Sequence, residues 1–199
     1  MAKAKRRIKP LGWLVIFIFT ASALFGVIYS VSKLIPVISK KYFYQRGYME
    51  YVEKYSEEYN IDPLYVYTVI KVESNFNPNA DSSAGAKGLM QIMPISFEEV
   101  SIKLGEQDSV SFGDMKDPET NIRYGCFILR QLLDEFGDWE IASAAYNGGI
   151  GNVQSWLNDG IISSENFDPS AIPIDETRHY VNKIANTYES YINLYGGEY

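Results

Sequence analysis

The chain has 199 residues, of which 46% are hydrophobic and 22% charged, and its formal net charge is −7. This length allows one globular domain with a sizeable core and an appended segment. All 25 acidic residues but only 13 of the 18 basic residues lie after residue 32, so this larger part carries a net charge of −12. The acidic excess argues against nucleic acid as a partner, because nucleic-acid binding relies on a basic surface.

The N-terminal segment has the pattern of a membrane anchor. Residues 1–10 contain five basic residues and no acid, and residues 11–32 contain no charged residue. About 20 apolar residues suffice to cross a bilayer as a helix, and basic residues favour the cytoplasmic side. We therefore predict a cytoplasmic N-terminus (1–10) and an anchor in the cytoplasmic membrane (11–32). The protein is then single-pass, with its larger part extracytoplasmic.

A secretory signal peptide is the alternative for this segment. Ala21, Ser22 and Ala23 resemble a cleavage site, and cleavage near Ala23 would release a secreted protein. The apolar run continues to Val31, which favours an uncleaved anchor. Residues 33–47 are then a partly helical juxtamembrane linker before a domain at 48–199.

Helical signals follow along the chain. Four tyrosines recur at three- and four-residue spacing and predict a helical face: Tyr48, Tyr51, Tyr55 and Tyr59. Asp62 followed by Pro63 is typical of a helix start, and the apolar pattern continues to Glu73. Residues 77–88 are rich in Asn, Pro, Ser and Gly, which predicts a loop.

The second half repeats these signals. Ser96 with Glu99 predicts a capping box that opens a short helix. Asp117 and Pro118 predict another helix start, which is followed by the buried stripe Ile122, Cys126, Leu129, Leu133 and Phe136. Two more helices are expected at about 140–146 and 176–191, and the only candidate for a sheet is a short hairpin near 160–175. The sequence thus predicts an all-α domain.

The content of cysteine and histidine restricts the chemistry. Cys126 is the only cysteine, so no internal disulfide can form, and its helical pattern indicates a small buried side chain. His179 is the only histidine, which excludes a zinc hydrolase built on paired His ligands. We therefore predict neither a metal nor an organic cofactor, and chemistry must run on carboxylates, hydroxyls and amides.

Three stretches resemble, in order and spacing, the successive motifs of the lytic transglycosylase catalytic domain. They are VIKVESNFNPNADSSAGAKGLMQIMP at 69–94, NIRYG at 121–125 with AAYNGG at 144–149, and ETRHYV at 176–181. The resemblance extends over about residues 45–195. It implies a goose-type lysozyme-like fold, a catalytic domain at 48–199, and peptidoglycan glycan strands as the partner. The resemblance leaves protein partners open.

The resemblance also implies roles for particular residues. Glu73 matches the catalytic acid, and the positions matching substrate-binding residues are Ser74, Ser82, Met90, Gln91, Tyr146, Asn147 and Tyr180. Gln91 would contact the glycan, Met90 would line its groove, and Tyr146 with Asn147 would face the acid. One departure is Gly148, where the family commonly has Ala.

A physical argument for Glu73 stands beside the resemblance. A glycosidase acid must stay protonated near neutral pH to protonate the leaving oxygen. Apolar surroundings raise the pKa of a carboxyl, and the negative end of a helix acts in the same direction. Glu73 follows the apolar residues Val69, Ile70 and Val72 near a predicted helix end, so both effects are expected there.

The resemblance implies a reaction with a single acid. Glu73 would protonate the β-1,4 bond between N-acetylmuramic acid and N-acetylglucosamine and then accept the proton of the C6 hydroxyl, giving 1,6-anhydromuramyl ends. Most glycosidases use two carboxylates, and Asp81 is a poor candidate for the second. The alternatives are a hydrolytic muramidase on the same fold and a catalytically silent protein that binds the cell wall or assists assembly.

Overall fold

A computed structural model of the chain describes residues 10–199, so all but the last residue of the predicted basic N-terminus (1–10) lies outside the described residues. The chain divides into two units, residues 1–45 and Arg46–Tyr199. The second unit begins two residues before the predicted start of the domain.

The first unit contains one long helix, α1 (Pro10–Tyr42). Its stretch Leu11–Ile35 has a mean hydropathy of 2.3 and no buried part, so its length and composition suit a membrane crossing. The helix continues well beyond the predicted end of the anchor at Ser32. Residues 33–42 of the predicted linker at 33–47 therefore belong to this helix.

The second unit is built from helices, with isolated bridges but no strand among residues 46–199. The helices are α2 (Met49–Glu58), α3 (Pro63–Ser74), α4 (Pro94–Leu104), α5 (Pro118–Phe136), α6 (Trp139–Gly148), α7 (Ile150–Asn158) and α8 (Asp175–Tyr195). Two short 3₁₀ turns occupy Phe112–Lys116 and Pro169–Ala171. The predicted all-α class is confirmed.

Both predicted Asp-Pro helix starts are confirmed. The side chain of Asp62 accepts a hydrogen bond from the backbone N–H of Leu64 at 2.8 Å, and Asp117 accepts one from Thr120 at 2.9 Å. Each carboxylate satisfies a donor that the first turn of a helix leaves unpaired, and the following Pro needs no such partner.

Other local predictions are wrong. Helix α4 begins at Pro94 with Met93 as its N-cap, so Ser96 lies inside the first turn and forms no capping box with Glu99. The fixed φ of Pro94 starts this helix earlier than the Ser pattern predicts. The suggested hairpin near 160–175 contains no strand and consists of irregular chain around the 3₁₀ turn Pro169–Ala171. Helix α7 was not predicted, although Val153 and Trp156 occupy its buried face. The predicted tyrosine face is confirmed in part, since Tyr51 and Tyr55 lie in α2 while Tyr48 and Tyr59 are its N-cap and C-cap.

Helix α3 is the central element of this unit. All seven residues from Leu64 to Ile70 are buried, whereas the helix ends in partly exposed residues. A helix that is apolar on all sides must be enclosed by others, and here α2 and α8 pack against it. Helix α6 packs between α5 and α8 and joins the same core. This packing brings the C-terminal turn of α3 next to α8.

Candidate active site

Glu73 lies in the last turn of α3, which ends at Ser74. The next two residues, Asn75 and Phe76, both have positive φ angles, of 51° and 65°. Two consecutive left-handed residues turn the chain sharply, and Asn is one of the few side chains that tolerates this conformation. The carboxyl group therefore lies where a buried helix ends and a loop begins, as the sequence indicates.

The carboxyl of Glu73 has one direct side-chain partner among the described residues. Tyr180 on α8 donates a 2.7 Å hydrogen bond from its hydroxyl to Oε1 of Glu73. Burial raises the pKa of Glu73 to about 7, while the Tyr180 hydrogen bond and the charge of Lys183 act in the opposite direction. The pKa is thus raised in the expected direction, and loss of hydration is the main cause.

Charged groups around Glu73 are few. Within residues 10–199, Lys183 is the only charged group that shifts the pKa of Glu73, and no carboxylate does so. Asp81 is exposed and forms a 2.5 Å ion pair with Lys116. Asp81, the second carboxylate considered from the sequence, therefore already has a partner and is not among the groups that shift the pKa of Glu73.

The loop after α3 is held by its own backbone. Ser82 and Ala86 are joined by two hydrogen bonds, one from the N–H of Ser82 to the carbonyl of Ala86 and one from the N–H of Ala86 to the hydroxyl of Ser82. Lys87 and Ile92 exchange two backbone hydrogen bonds of 3.0 Å. The hydroxyl of Ser74 donates to the carbonyl of Ile70 at 3.3 Å. Both serines therefore have hydrogen bonds to nearby backbone.

Gln91 occupies a strained position in this loop. Its φ is 50°, and its side-chain amide donates to the carbonyl oxygens of Gly88 at 2.9 Å and Ala80 at 3.2 Å. A left-handed conformation is costly for a side chain of this size and persists only where the surroundings enforce it. The amide nitrogen is thus committed to the loop, which fixes the direction of the side chain.

Met90 does not line a groove, so that prediction is wrong. Its side chain is fully buried, and a Cβ on Gly125 would come within 2.2 Å of its sulfur. In this segment the methionine that reaches the surface is Met93, with 36% of its area exposed. In the sequence the two positions are equally apolar, and only the turn through Gln91 decides which one faces the core.

Asn121 on α5 is a structural support that sequence reasoning did not single out, although it begins the NIRYG motif. It is fully buried, and its carbonyl oxygen accepts from the N–H of Met90 at 2.8 Å. Its amide donates to the carbonyls of Lys87 at 3.0 Å and Met115 at 2.8 Å. From α6, the hydroxyl of Tyr146 donates to the carbonyl of Met90 at 2.6 Å. The backbone of Met90, next to Gln91, is thereby held at both its N–H and its carbonyl group.

A cavity of about 360 Å³ adjoins these residues. Gln91, Met93, Tyr146 and Asn147 contribute to its lining, whereas Glu73, Ser74, Ser82 and Tyr180 do not. Tyr146 connects the two groups, because the charge of Glu73 is among the causes that raise the pKa of this tyrosine. The predicted residues therefore form two adjoining clusters, Glu73 with Tyr180 and Gln91 with Tyr146 and Asn147.

The packing of α6 explains why this chain has glycine at position 148, where the family commonly has alanine. A Cβ at this position would lie 2.8 Å from the hydroxyl oxygen and 3.0 Å from the methyl carbon of Thr177. Thr177 is buried in the first part of α8. An alanine in place of Gly148 would overlap with that side chain, so Gly lets α6 and α8 approach closely at the end of α6.

Comparison with known proteins identifies the family. A family model described as Transglycosylase SLT domain matches residues 50–164. The Soluble lytic murein transglycosylase of Escherichia coli (strain K12) is 36% identical over 155 residues, covering 76% of this chain and 24% of that protein. The Membrane-bound lytic murein transglycosylase C of Glaesserella parasuis is 32% identical over 170 residues, covering 75% of this chain and 47% of that protein.

A solved structure agrees with these matches. The 70 kDa soluble lytic transglycosylase of Escherichia coli superposes with a TM-score of 0.69 and 34% identity, covering 77% of this chain and 25% of that chain. This chain spans about a quarter of the length of the Escherichia coli relative and about half that of the Glaesserella parasuis relative. The helical unit shares the lysozyme-like fold of that structure. The chain therefore belongs to the Transglycosylase SLT domain family.

Proposed function

We propose that the protein is a membrane-anchored lytic transglycosylase that cleaves the β-1,4 bond between N-acetylmuramic acid and N-acetylglucosamine in peptidoglycan. Glu73 is its single general acid and base. The observation that carries the proposal is this carboxyl, buried at the end of α3, hydrogen-bonded to Tyr180 and with its pKa raised to about 7. The named relatives support the choice of substrate, because both are murein transglycosylases.

The reaction has two halves. In the first, protonated Glu73 transfers its proton to the glycosidic oxygen while the bond between this oxygen and C1 of the muramic acid breaks. The 2-acetamido group of the same sugar stabilises the positive charge that develops at C1. A carboxyl with a pKa near 7 suits this step, since it is substantially protonated at neutral pH and still gives up its proton.

In the second half, the carboxylate of Glu73 accepts the proton of the C6 hydroxyl as O6 attacks C1. A 1,6-anhydro ring forms, no water is consumed, and Glu73 is protonated again. The internal hydroxyl competes well with solvent because it is already held beside C1. One carboxyl thus serves both halves, which agrees with the absence of a second carboxylate shifting the pKa of Glu73 within residues 10–199.

The remaining predicted site residues position the glycan. Gln91, Tyr146 and Asn147 bind it in the adjoining cavity, Ser74 and Ser82 bind it beside the acid, and Tyr180 orients Glu73. Met93 takes the groove-lining role first predicted for Met90, because it is the exposed methionine of the cavity. No step in this reaction requires a metal or an organic cofactor.

The proposal includes the arrangement of the whole chain. Residues 1–10 are cytoplasmic, 11–32 cross the cytoplasmic membrane once, 33–47 link the anchor to the catalytic domain, and 48–199 act outside the cytoplasm. The apolar stretch Leu11–Ile35 and the membrane-bound relative support this arrangement. Intact mass and N-terminal sequencing of the membrane-extracted protein test it. A mature protein that begins after Ala23 would contradict the anchor.

The decisive experiment is mass spectrometry of muropeptides released from purified sacculi by the full chain in detergent. Products lighter than hydrolytic muropeptides by one water are the expected 1,6-anhydro ends, and a Glu73→Gln variant should release at least about 10²-fold less. Reducing ends would instead identify a muramidase. Retained binding to sacculi without any release would identify a silent wall-binding protein.

A further inference from the structure

Helix α8 contacts the acid-bearing turn of α3 through two side chains. Tyr180 donates to Oε1 of Glu73 at 2.7 Å, and Lys183 donates from its amine to the carbonyl oxygen of Val72 at 3.1 Å. Residues three apart on a helix share a face, so Tyr180 and Lys183 reach α3 side by side. Tyr180 holds the side chain of Glu73, and Lys183 holds the peptide carbonyl immediately before Glu73 in the chain.

The carbonyl of Val72 is one of the groups that a helix end leaves without a partner. The last four carbonyls of an α-helix have no intrahelical donor, and α3 ends at Ser74. The N–H of Asn75 serves the carbonyl of Lys71, and the amine of Lys183 serves that of Val72. A cation at this place also offsets the partial negative charge of the helix end.

We propose that Lys183 is a positioning residue for the reaction. It holds the turn that carries Glu73 against α8, and its charge stabilises the carboxylate that Glu73 becomes between the two halves of the reaction. The role of Lys183 in the reaction rests on the function proposed above. Its effect on the Glu73 carboxyl is a separate matter and can be measured without substrate.

The positive charge of Lys183 matters because few other groups near Glu73 can stabilise its carboxylate. From α8 it faces Tyr180 and Lys183, and from α6 it faces Tyr146, while its own helix carries Lys71. The pKa of each of the two tyrosine hydroxyls is raised well above its usual value by burial, so both stay neutral. The amine of Lys71 donates to Asn75, away from the acid. Lys183 is itself exposed, but it is the one positive charge among residues 10–199 that favours the Glu73 carboxylate, and an anion buried without any such charge is costly.

A direct test is the titration of the Glu73 carboxyl by ¹³C NMR in the full chain with labelled glutamate, with the signal assigned by its loss in Glu73→Gln. Lys183→Met should raise the pKa of Glu73 by about half a pH unit to one pH unit, because one neighbouring positive charge is lost. Lys183→Arg keeps the charge and should titrate like the wild type. Lys103→Met, in the last turn of α4, removes the same charge elsewhere and should leave the titration unchanged.

The kinetic test uses the same variants on sacculi. Lys183→Met should move the alkaline limb of kcat/KM to higher pH and lower kcat about tenfold, with a small change in KM, while Lys183→Arg restores both. If Lys183→Met does not fold, Lys183→Gln removes the charge but keeps a donor and is titrated instead. An unchanged Glu73 titration in the folded, uncharged variant overturns the inference. Inactivity of the wild type overturns the proposed function, and the NMR result then still decides the effect of Lys183.

Discussion

The hydroxyl of Tyr180 lies 2.7 Å from Oε1 of Glu73, although 107 residues separate the two in the sequence. The packing of α3 against α8 creates this contact. Because both side chains are largely enclosed, the hydrogen bond orients a carboxyl group that has little water to solvate it. The same tyrosine stays protonated, since burial raises the pKa of its hydroxyl. It can therefore act as a fixed donor throughout the reaction.

Replacing Tyr180 by Phe should reduce cleavage and change its pH dependence. The hydrogen bond lowers the pKa of Glu73, so its loss should raise that pKa and move the alkaline limb of the activity to higher pH. The loss of orientation should reduce kcat about tenfold. The matched control is Tyr188→Phe on the same helix, whose hydroxyl bonds Asp62 instead. Equal pH profiles for Tyr180→Phe and the wild type would contradict this role.

The activity itself should depend on pH through the protonation of Glu73. A general acid must be protonated in the free enzyme, so kcat/KM should decline as the pH rises through about 7, the raised pKa of Glu73. Initial rates on sacculi between about pH 5 and about pH 9 test this, with protein integrity followed by circular dichroism. An alkaline limb near the ordinary pKa of a glutamate would show that the acid is not held in this buried environment.

The folding stability of the protein should also depend on pH through the carboxyl of Glu73. The folded-state pKa of about 7 exceeds the usual 4.5, so the folded protein holds a proton that the unfolded chain has lost between these values. The contribution of Glu73 to stability is thus complete below about 4.5 and is lost as the pH rises to about 7. Glu73→Gln should be more stable than the wild type at about pH 8 by about 1–3 kcal/mol, with no difference near about pH 4. Urea unfolding at both pH values measures this.

Asn121→Ala should destabilise the domain and loosen the loop that carries Gln91. It removes three hydrogen bonds from a fully buried side chain and leaves the N–H of Met90 without its side-chain acceptor. Unsatisfied buried groups cost about 1–3 kcal/mol each, so a loss of about 2–4 kcal/mol is expected. The control is Asn182→Ala, whose amide bonds the carbonyl of Arg178 on an exposed face. Equal urea midpoints for the two variants would exclude the supporting role of Asn121.

Gly148→Ala should reduce stability through overlap with Thr177. The added methyl meets the Thr177 side chain at 2.8 Å, and overpacking of this kind costs about 1–3 kcal/mol. Thr177→Ala removes both contacting atoms, so the double variant should recover part of the loss in a double-mutant cycle. Gly151→Ala on α7 meets nothing within 4 Å and should be neutral or slightly stabilising. Additive effects at positions 148 and 177 would rule out the steric explanation.

The helix starts and the environment of the acid could be predicted from the sequence because they depend on neighbours in the chain. Asp62 and Asp117 cap helices by bonding N–H groups two or three residues away, and the apolar run before Glu73 ends where α3 ends. The start of α4 was predicted wrongly at Ser96 because a second local signal, Pro94, begins the helix two residues earlier. Periodicity could not detect α7, whose short buried face has only two buried residues, Val153 and Trp156.

The assembly of the site follows from the packing of the helices, because its main contacts join residues far apart in the chain. The turn at Gln91 buries Met90 and exposes Met93, and no periodic pattern in a loop distinguishes these two methionines. The local sequence suffices to place one carboxyl at the end of a buried helix. The packing of α8 on α3 determined which groups meet that carboxyl, because side chains from separate helices come together only when their buried faces pack.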